Sequence, residues 1–271
     1  MSPARLGGAF EAPSGLLTHT IDCVPDDPAS AGLPGQPSSA PSRPAQPAEP
    51  AARADAGPRI RGVITDWGGV MTRPILDTVN AWIGAEQIDR DSYVAIMRSW
   101  VAQAYNGGDS SPIHALERGE CTNEEFELLL AAQLVHLDGR PVVADGLLAR
   151  MFAESAMELA MLDLIRSLRQ AGLRTALLSN SWGAGDYPRH LFPELFDVVV
   201  ISAEVGMRKP EERIFRHTAA LLGLEPQECV FIDDLEANVA AAEATGLVGL
   251  HHHEPGPTAE RLADLLNLPV P

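Results

Sequence analysis

Short β-branched runs alternate with amphipathic helical segments from residue 60 onward. A connection between parallel strands needs a crossover of a dozen or more residues, usually a helix, so this alternation favours a parallel sheet covered by helices on both faces. The runs that predict strands are residues 60–65, 174–179, 197–202, 229–232 and 248–251. The sequence therefore predicts an α/β fold with a Rossmann-like core of five parallel strands.

The segments between these strands carry helix signals. They are residues 157–172, 209–223, 235–246 and 257–268. Gly172 and Gly223 are expected to end the first two helices, because glycine readily adopts the left-handed conformation that follows a helix. Pro210 is expected in the first turn of the second, where its missing N–H costs nothing.

Residues 75–155 interrupt the alternation, because they contain helical segments and no convincing strand. Thr122 and Glu125 have the spacing of a capping box, in which each side chain accepts a hydrogen bond from the other residue's backbone N–H. An all-helical insert directly after the first strand is expected to form a small cap that acts as a lid. The predicted domains are an α/β core, residues 59–74 and 156–271, and the helical cap, residues 75–155.

Residues 1–58 differ from the rest of the chain in composition. Nine prolines fall between residues 24 and 58, with many Ala and Ser and almost no large apolar side chains. Such a segment cannot bury enough apolar surface to offset the entropy of ordering it, so a disordered, partly polyproline-II tail is expected. A docking segment for a proline-recognising domain, in a scaffold protein, is the functional alternative.

The formal net charge of −17 bears on the partners of the chain. A strongly acidic protein repels nucleic acid and anionic lipid surfaces, so neither is expected as a partner. The three cysteines lie far apart in sequence and predict neither a disulfide framework nor a zinc site. With no apolar run of membrane-spanning length and no secretory signal, a cytoplasmic protein that binds a small molecule and a cation is expected.

The residues suited to chemistry lie where the predicted strands end. They are Asp66 after the first strand, Ser179 and Asn180 at the second, Lys209 after the third, and Asp233 and Asp234 after the fourth. Ligands of open α/β sheets bind outside the carboxyl ends of the strands, so these side chains are expected to converge. Clustered carboxylates repel one another unless a cation joins them, and all-oxygen ligation favours Mg²⁺ over zinc. A site for Mg²⁺ and a phosphate group is predicted.

Four motifs in this order, ITDWGGV, LLSNS, RKPEERIF and FIDDLEANV, resemble the haloacid dehalogenase superfamily of phosphotransferases. The resemblance covers the chain from about residue 60 and excludes the tail. It implies that Asp66 is the nucleophile that forms an aspartyl-phosphate, and that Lys209 neutralises the charge of the phosphoryl group. The implied activity is Mg²⁺-dependent hydrolysis of a small phosphorylated metabolite.

The same resemblance implies the remaining contacts. The implied phosphate-binding residues are Trp67, Gly68, Ser179, Asn180 and Lys209. The implied Mg²⁺ ligands are Asp66, the backbone carbonyl of Gly68, Asp234 and, directly or through water, Asp233, with Asn238 bracing the last loop.

Gly68 departs from the pattern of the superfamily, in which most phosphatases have a second aspartate that protonates the leaving group. Glycine keeps the backbone carbonyl for a metal ion but has no proton to donate. One hypothesis is a weak or inactive relative that binds phosphate as a regulator. The hypothesis we favour is a sugar-phosphate phosphatase, similar to bacterial α-glucose-1-phosphate phosphatases, which resemble this chain in ERGECTNEEF and GMRKPEERIF.

A haloacid dehalogenase is the other enzymatic alternative within the superfamily. It would use the same carboxylate nucleophile without a metal ion. The adjacent acids Asp233 and Asp234 would then have little purpose, so this alternative is disfavoured.

Overall fold

The computed structural model describes residues 59–105, 111–182 and 187–267. The predicted tail, residues 1–58, lies outside these ranges and stays a prediction. Within the part of the chain that is described, no helix is both long and apolar enough to cross a lipid bilayer.

Five parallel strands form one sheet in the order β3-β2-β1-β4-β5. They are β1 (Gly62–Thr65), β2 (Arg174–Ser179), β3 (Val198–Ile201), β4 (Cys229–Asp233) and β5 (Val248–His251). This confirms the predicted α/β class with five parallel strands. β1 lies at the centre, where Gly62 pairs with Arg174 of β2 and with Cys229 of β4. The loops that follow β1, β2 and β4 therefore lie side by side.

The strand ends differ slightly from the sequence prediction. β1 begins at Gly62 instead of residue 60. β3 ends at Ile201, because Ser202 begins a short helix. β4 continues one residue further than predicted, to Asp233, which is in register with His251 of β5. The backbone of Asp233 is thus fixed by the sheet itself.

Both faces of the sheet are buried, and successive side chains of one strand enter different hydrophobic clusters. Val63 belongs to one cluster and Ile64 to the other. In β4, Val230 and Ile232 share the cluster of Val63, whereas Phe231 joins that of Ile64. This alternation explains why the strands read as continuous apolar runs: a parallel sheet covered on both sides has no polar face.

The described residues between 75 and 155, the helical insert, form helices and no strand. The helices are α1 (Ile75–Glu86), α2 (Arg90–Tyr105), α3 (Pro112–Glu117), α4 (Asn123–Ala131) and α5 (Leu147–Met151). Their buried side chains, Trp82 and Trp100 among them, form a third hydrophobic cluster. Thr122 Oγ1 accepts from the Glu125 N–H at 3.2 Å, and the Glu125 carboxylate accepts from the Thr122 N–H at 2.9 Å. The predicted capping box is confirmed.

The helices after the insert are α6 (Leu159–Gln170), α7 (Phe192–Leu195), α8 (Ser202–Val205), α9 (Glu212–Leu222), α10 (Glu236–Thr245) and α11 (Pro255–Leu266). α9 ends at Gly223, as predicted, with a left-handed φ of 69°. Its start was predicted wrongly. Pro210 precedes the helix and does not lie in its first turn, because Glu211 is the N-cap and Glu212 the first helical residue.

Candidate active site

The predicted nucleophile, Asp66, follows β1 directly and is held between its neighbours. Its backbone N–H donates to the carbonyl oxygen of Ile232 in β4 at 2.9 Å. Ser179 is the last residue of β2, and Asp233 is the last residue of β4. Since β2 and β4 flank β1, the sheet places all three side chains at one edge.

Asp66, Asp233 and Asp234 form a cluster in which one oxygen of each carboxylate lies within 4.8 Å of the others. Burial raises the pKa of Asp66 to about 7; Lys209 opposes this rise, and Asp233 and Asp234 add to it. Burial, and then the charge of Asp233, likewise raise the pKa of Asp234. Without a cation the cluster resists full ionisation.

Lys209 balances part of this charge. Its Nζ lies 2.8 Å from Oδ1 of Asp66 and 2.6 Å from Oδ2 of Asp233, and its side chain is 1% exposed. Burial alone would lower the pKa of Lys209, but the carboxylates of Asp233 and Asp66 outweigh burial, and the pKa is raised. Lys209 is therefore a permanent cation in direct contact with the predicted nucleophile.

Asn180 holds the backbone of Lys209. Its Oδ1 accepts from the Lys209 N–H at 2.8 Å, and its Nδ2 donates to the Lys209 carbonyl oxygen at 3.0 Å. The amide thus uses both of its polar atoms to position the lysine. A phosphate contact of the kind predicted for Asn180 would accordingly come from its backbone N–H or from the second proton of Nδ2.

Asp233 is fully buried, and protein donors surround its carboxylate. Asn238 Nδ2 lies 3.0 Å and 3.1 Å from its two oxygens, and the Leu235 N–H donates to Oδ1 at 2.8 Å. With Lys209 on Oδ2, both oxygens are already bonded. Asp233 therefore orders the lysine and the loop that carries Asp234, and Asn238 braces that loop.

The loop after β1 approaches Asp234 closely at Gly69, a residue that the sequence analysis missed. Gly69 has a left-handed φ of +74°, and a Cβ built there would lie 2.2 Å from Oδ2 of Asp234. Gly68 is different: its φ is outside the left-handed region, and a Cβ would lie 3.1 Å from Cδ1 of Ile75. The backbone conformation of Gly68 therefore accepts a side chain, whereas that of Gly69 would be strained by one.

Trp67 and Ser179 are both engaged within the protein. The backbone N–H of Trp67 donates to Oδ1 of Asp66 at 2.7 Å, so a phosphate contact from this N–H would replace that hydrogen bond. Ser179 Oγ accepts from the hydroxyl of Tyr187 at 2.9 Å. Tyr187 is a second residue that the sequence analysis missed, because a lone tyrosine in a loop carries no motif.

The donor set suits a hard divalent cation. Within the part of the chain that is described, Asp66, Asp233 and Asp234 are the only group of three side chains whose ligand atoms converge in this way, and every ligand atom is a carboxylate oxygen. Mg²⁺ prefers such oxygens, and its charge would offset the burial and the neighbouring acids that raise the pKa of Asp66. The residues therefore fit the predicted ion. Asp66 and Asp234 are the best placed to hold it, since Asp233 is occupied by its own donors.

Comparison with known proteins identifies the family. The sequence model of the haloacid dehalogenase-like hydrolases matches residues 60–246. Mouse acyl-CoA dehydrogenase family member 10 is 30% identical over 218 residues, which cover 79% of this chain and 20% of that protein. The sesquiterpene phosphatase astK of Aspergillus oryzae is 36% identical over 95 residues, 34% of this chain and 48% of that protein. The chain thus spans less than half the length of either relative.

The fold is shared with a solved haloacid dehalogenase family enzyme from Bacteroides thetaiotaomicron. The TM-score is 0.52 at 21% identity, and the match covers 75% of this chain and 98% of that one. The family match spans most of the chain and contains Asp66, Ser179, Lys209, Asp233 and Asp234. By its sequence, its sheet and the residues gathered at the edge of that sheet, the chain belongs to the haloacid dehalogenase-like hydrolases.

Proposed function

We propose that the protein is a Mg²⁺-dependent phosphatase that hydrolyses a small phosphorylated metabolite through an aspartyl-phosphate on Asp66. The observation that carries the proposal is the position of Asp66, whose carboxylate touches Lys209 and lies beside Asp234. An anionic nucleophile next to a buried cation and a further acid suits the transfer of a phosphoryl group, which needs charge stabilisation more than covalent assistance.

In the proposed reaction an Asp66 carboxylate oxygen forms a bond to phosphorus while the bond from phosphorus to the leaving oxygen breaks, and that oxygen takes up a proton from solvent. Water then hydrolyses the mixed anhydride, which releases inorganic phosphate and restores the carboxylate. Lys209 would neutralise the charge of the phosphoryl oxygens, and Ser179 would donate a hydrogen bond to one of them. When bound at Asp66, the Gly68 carbonyl and Asp234, Mg²⁺ supplies the charge neutralisation that lets two anions approach.

The ionisation of Asp66 supports a role for the cation. With a pKa of about 7 in the metal-free protein, the carboxyl would be partly protonated at neutral pH and so a poor nucleophile. A divalent cation beside it favours the carboxylate.

The missing acid at Gly68 favours substrates with good leaving groups. An anomeric oxygen is a better leaving group than an ordinary alkoxide, so a sugar 1-phosphate depends less on protonation by the enzyme. General acid catalysis typically contributes about 10²- to 10⁴-fold, which would be lost for a poor leaving group. The name of the fungal relative, a sesquiterpene phosphatase, adds support for phosphate ester hydrolysis as the reaction class.

The same glycine supports a second candidate, a regulator that binds phosphate esters without hydrolysing them. The scaffold alternative instead places the function in residues 1–58, and it predicts that Asp66 is dispensable for partner binding.

The deciding experiment is a screen of phosphorylated metabolites against the full chain, with Mg²⁺ and with EDTA, and with Asp66→Asn as the control. Phosphate release that needs both Mg²⁺ and Asp66 is expected, because an amide keeps the shape of the side chain but attacks phosphorus poorly. Binding of phosphate esters without turnover would favour the regulator. Halide release from a halo acid without a metal would favour the dehalogenase.

A further inference from the structure

Tyr187 contacts two of the predicted phosphate-binding residues, Ser179 and Trp67. Its hydroxyl lies 2.9 Å from Oγ of Ser179 at the end of β2. The ring packs edge-on against Trp67, with centroids 6.0 Å apart, and at a tilt against Phe192 at 6.2 Å. The aromatic contacts hold the phenol in place, and its oxygen lies within hydrogen-bond distance of Ser179 Oγ.

The phenol acts as the donor in this hydrogen bond. The hydrogen bond runs from the Tyr187 hydroxyl to Oγ of Ser179, and burial, which raises the pKa of Tyr187 to about 12, keeps that hydroxyl protonated. Because Ser179 Oγ is the acceptor, its own proton must point elsewhere. The acceptor that the described residues offer is the carbonyl oxygen of Asn180, at 3.4 Å. A hydrogen bond between oxygens at that distance is weak.

We propose that Tyr187 is a positioning residue: it occupies the acceptor side of the Ser179 hydroxyl and turns the serine proton toward a bound phosphoryl oxygen. This inference rests on the proposed function, in which Ser179 contacts the phosphoryl group. A serine hydroxyl can rotate and either donate or accept a hydrogen bond. An anionic phosphoryl oxygen only accepts, so it binds the hydroxyl only when the hydroxyl donates. A fixed phenol removes the unproductive orientation before the ligand arrives.

The test is a double-mutant cycle with inorganic phosphate as the probe. Tyr187→Phe removes the hydroxyl and keeps the ring, and Ser179→Ala removes the group on which it acts. The dissociation constant of inorganic phosphate in the presence of Mg²⁺ is measured by calorimetry, and hydrolysis of the best substrate is measured in parallel. Tyr187→Phe is expected to weaken phosphate binding about 3- to 10-fold, the range of one ordinary hydrogen bond.

The effect of Tyr187→Phe in variants of Ser179 shows whether Tyr187 positions the serine hydroxyl or acts only through packing. In Ser179→Ala the further change Tyr187→Phe is expected to have no effect, whereas in Ser179→Thr, which keeps a hydroxyl, the effect is expected to remain. Tyr93→Phe is the matched control, because Tyr93 is a second partly buried tyrosine whose pKa burial raises to about 12, but it packs on Trp82 in the helical insert. It is expected to leave phosphate binding unchanged.

Several outcomes would overturn the inference. An equal loss of affinity in the parent and in Ser179→Ala would show that Tyr187 acts through packing. Failure of Tyr187→Phe to fold would show that the hydroxyl serves the fold. The proposed function fails separately: a parent that binds phosphate with the expected coupling but hydrolyses nothing leaves the inference standing and removes the phosphatase. A parent that binds no phosphate overturns both.

Discussion

Glu117 and Arg208 form an ion pair, with Oε2 of the acid 2.5 Å from Nε of the arginine and side chains only 7% and 15% exposed. Glu117 ends α3 in the helical insert, and Arg208 precedes Lys209 in the sequence. The backbone carbonyl of Glu117 also accepts from Oγ of Ser202, which in turn accepts from the Ser181 N–H at 2.8 Å. The insert is thereby bonded to the segments that carry Lys209 and Ser179.

Glu117→Gln is expected to destabilise the protein, because loss of the counter-charge of the partly buried Arg208 guanidinium outweighs the burial that raises the pKa of the Glu117 carboxyl. The expected loss in free energy of unfolding is about 2 kcal/mol, below the full cost of breaking a buried pair since Arg208 keeps some solvent contact. Thermal unfolding would show this as a fall of about 4–8 °C in Tm. Glu120→Gln is the control, because Glu120 is 52% exposed and its partner Arg118 keeps a second acid, Glu211, at 3.8 Å, so the loss of Glu120 should cost little. Equal shifts in the two variants would contradict the prediction.

Gly69→Ala is expected to damage the cation site by pushing Asp234 away, because the added Cβ would lie 2.2 Å from Oδ2 of that side chain. A loss of about 10- to 100-fold in Mg²⁺ affinity is expected, the range seen when the support of a metal ligand is removed. Calorimetric titration with Mg²⁺ measures it. Gly223→Ala separates backbone strain from the clash, since Gly223 has a similar φ of +69° with nothing within 4 Å of the new Cβ. The control should lose stability and keep its Mg²⁺ affinity.

Asp234→Asn is expected to stabilise the metal-free protein at pH 8. Since burial and then Asp233 raise the pKa of the Asp234 carboxyl, the folded state binds its proton more tightly than the unfolded state does. The Asp234 carboxyl therefore lowers the stability of the folded state as pH rises above 3.8, the ordinary pKa of an aspartate. Removing its charge is expected to stabilise the protein most at high pH. A gain in Tm is expected at pH 8, and it is expected to shrink toward pH 4.

The same variant should lose the stabilisation that Mg²⁺ gives the parent. A ligand that binds only the folded state raises Tm in proportion to the logarithm of its concentration, so the parent should respond to added Mg²⁺. Asp234→Asn should respond much less, because one of the two best-placed ligands is gone. A Tm increase with Mg²⁺ that matches the parent's would place the cation elsewhere.

Gly68→Asp is expected to help poor leaving groups more than good ones. The backbone of Gly68 accepts a side chain, and the end of the flexible Ile75 side chain, 3.1 Å from the new Cβ, needs to move by only a few tenths of an ångström. The added carboxyl could then protonate a leaving alkoxide. The ratio of kcat/KM for an alkyl phosphate to that for a sugar 1-phosphate should rise. Gly68→Ala adds the Cβ without the acid and should leave the ratio unchanged, whereas an equal rise in both variants would contradict the leaving-group explanation.

The strands of the sheet could be predicted from the sequence because each one is recognisable from its own residues. A strand buried on both faces must be apolar throughout, so the five strands stand out between helices. The convergence of Asp66, Lys209 and Asp233 was also predictable, because parallel topology brings strand ends together whatever the loops do. The start of α9 was not, because Pro210 is acceptable both in a first turn and before the cap.

The contacts that complete the site could not be predicted because they join residues with no sequence pattern. Gly69 follows Gly68, and only the approach of Asp234 distinguishes the two glycines. In the sequence Glu117 is one of many acidic residues on helical segments, and only the structure shows that it pairs with Arg208. Tyr187 is linked to the site by the hydrogen bond from its hydroxyl to Ser179. Each of these depends on tertiary packing, which propensity and periodicity do not encode.

The central position of β1 has a consequence for the synthesis of the chain. As the protein leaves the ribosome, β1 emerges first, then the whole helical insert, and only afterwards β2 and β4, the strands that pair with Gly62. Until then the apolar faces of β1 lack their sheet partners, which exposes them to aggregation. Asp66 meets Lys209, and later Asp233, only after these distant segments have been made. An N-terminal fragment that stops before β4 carries the predicted nucleophile, Asp66, without Asp233 and Asp234, the two acids that complete its cluster.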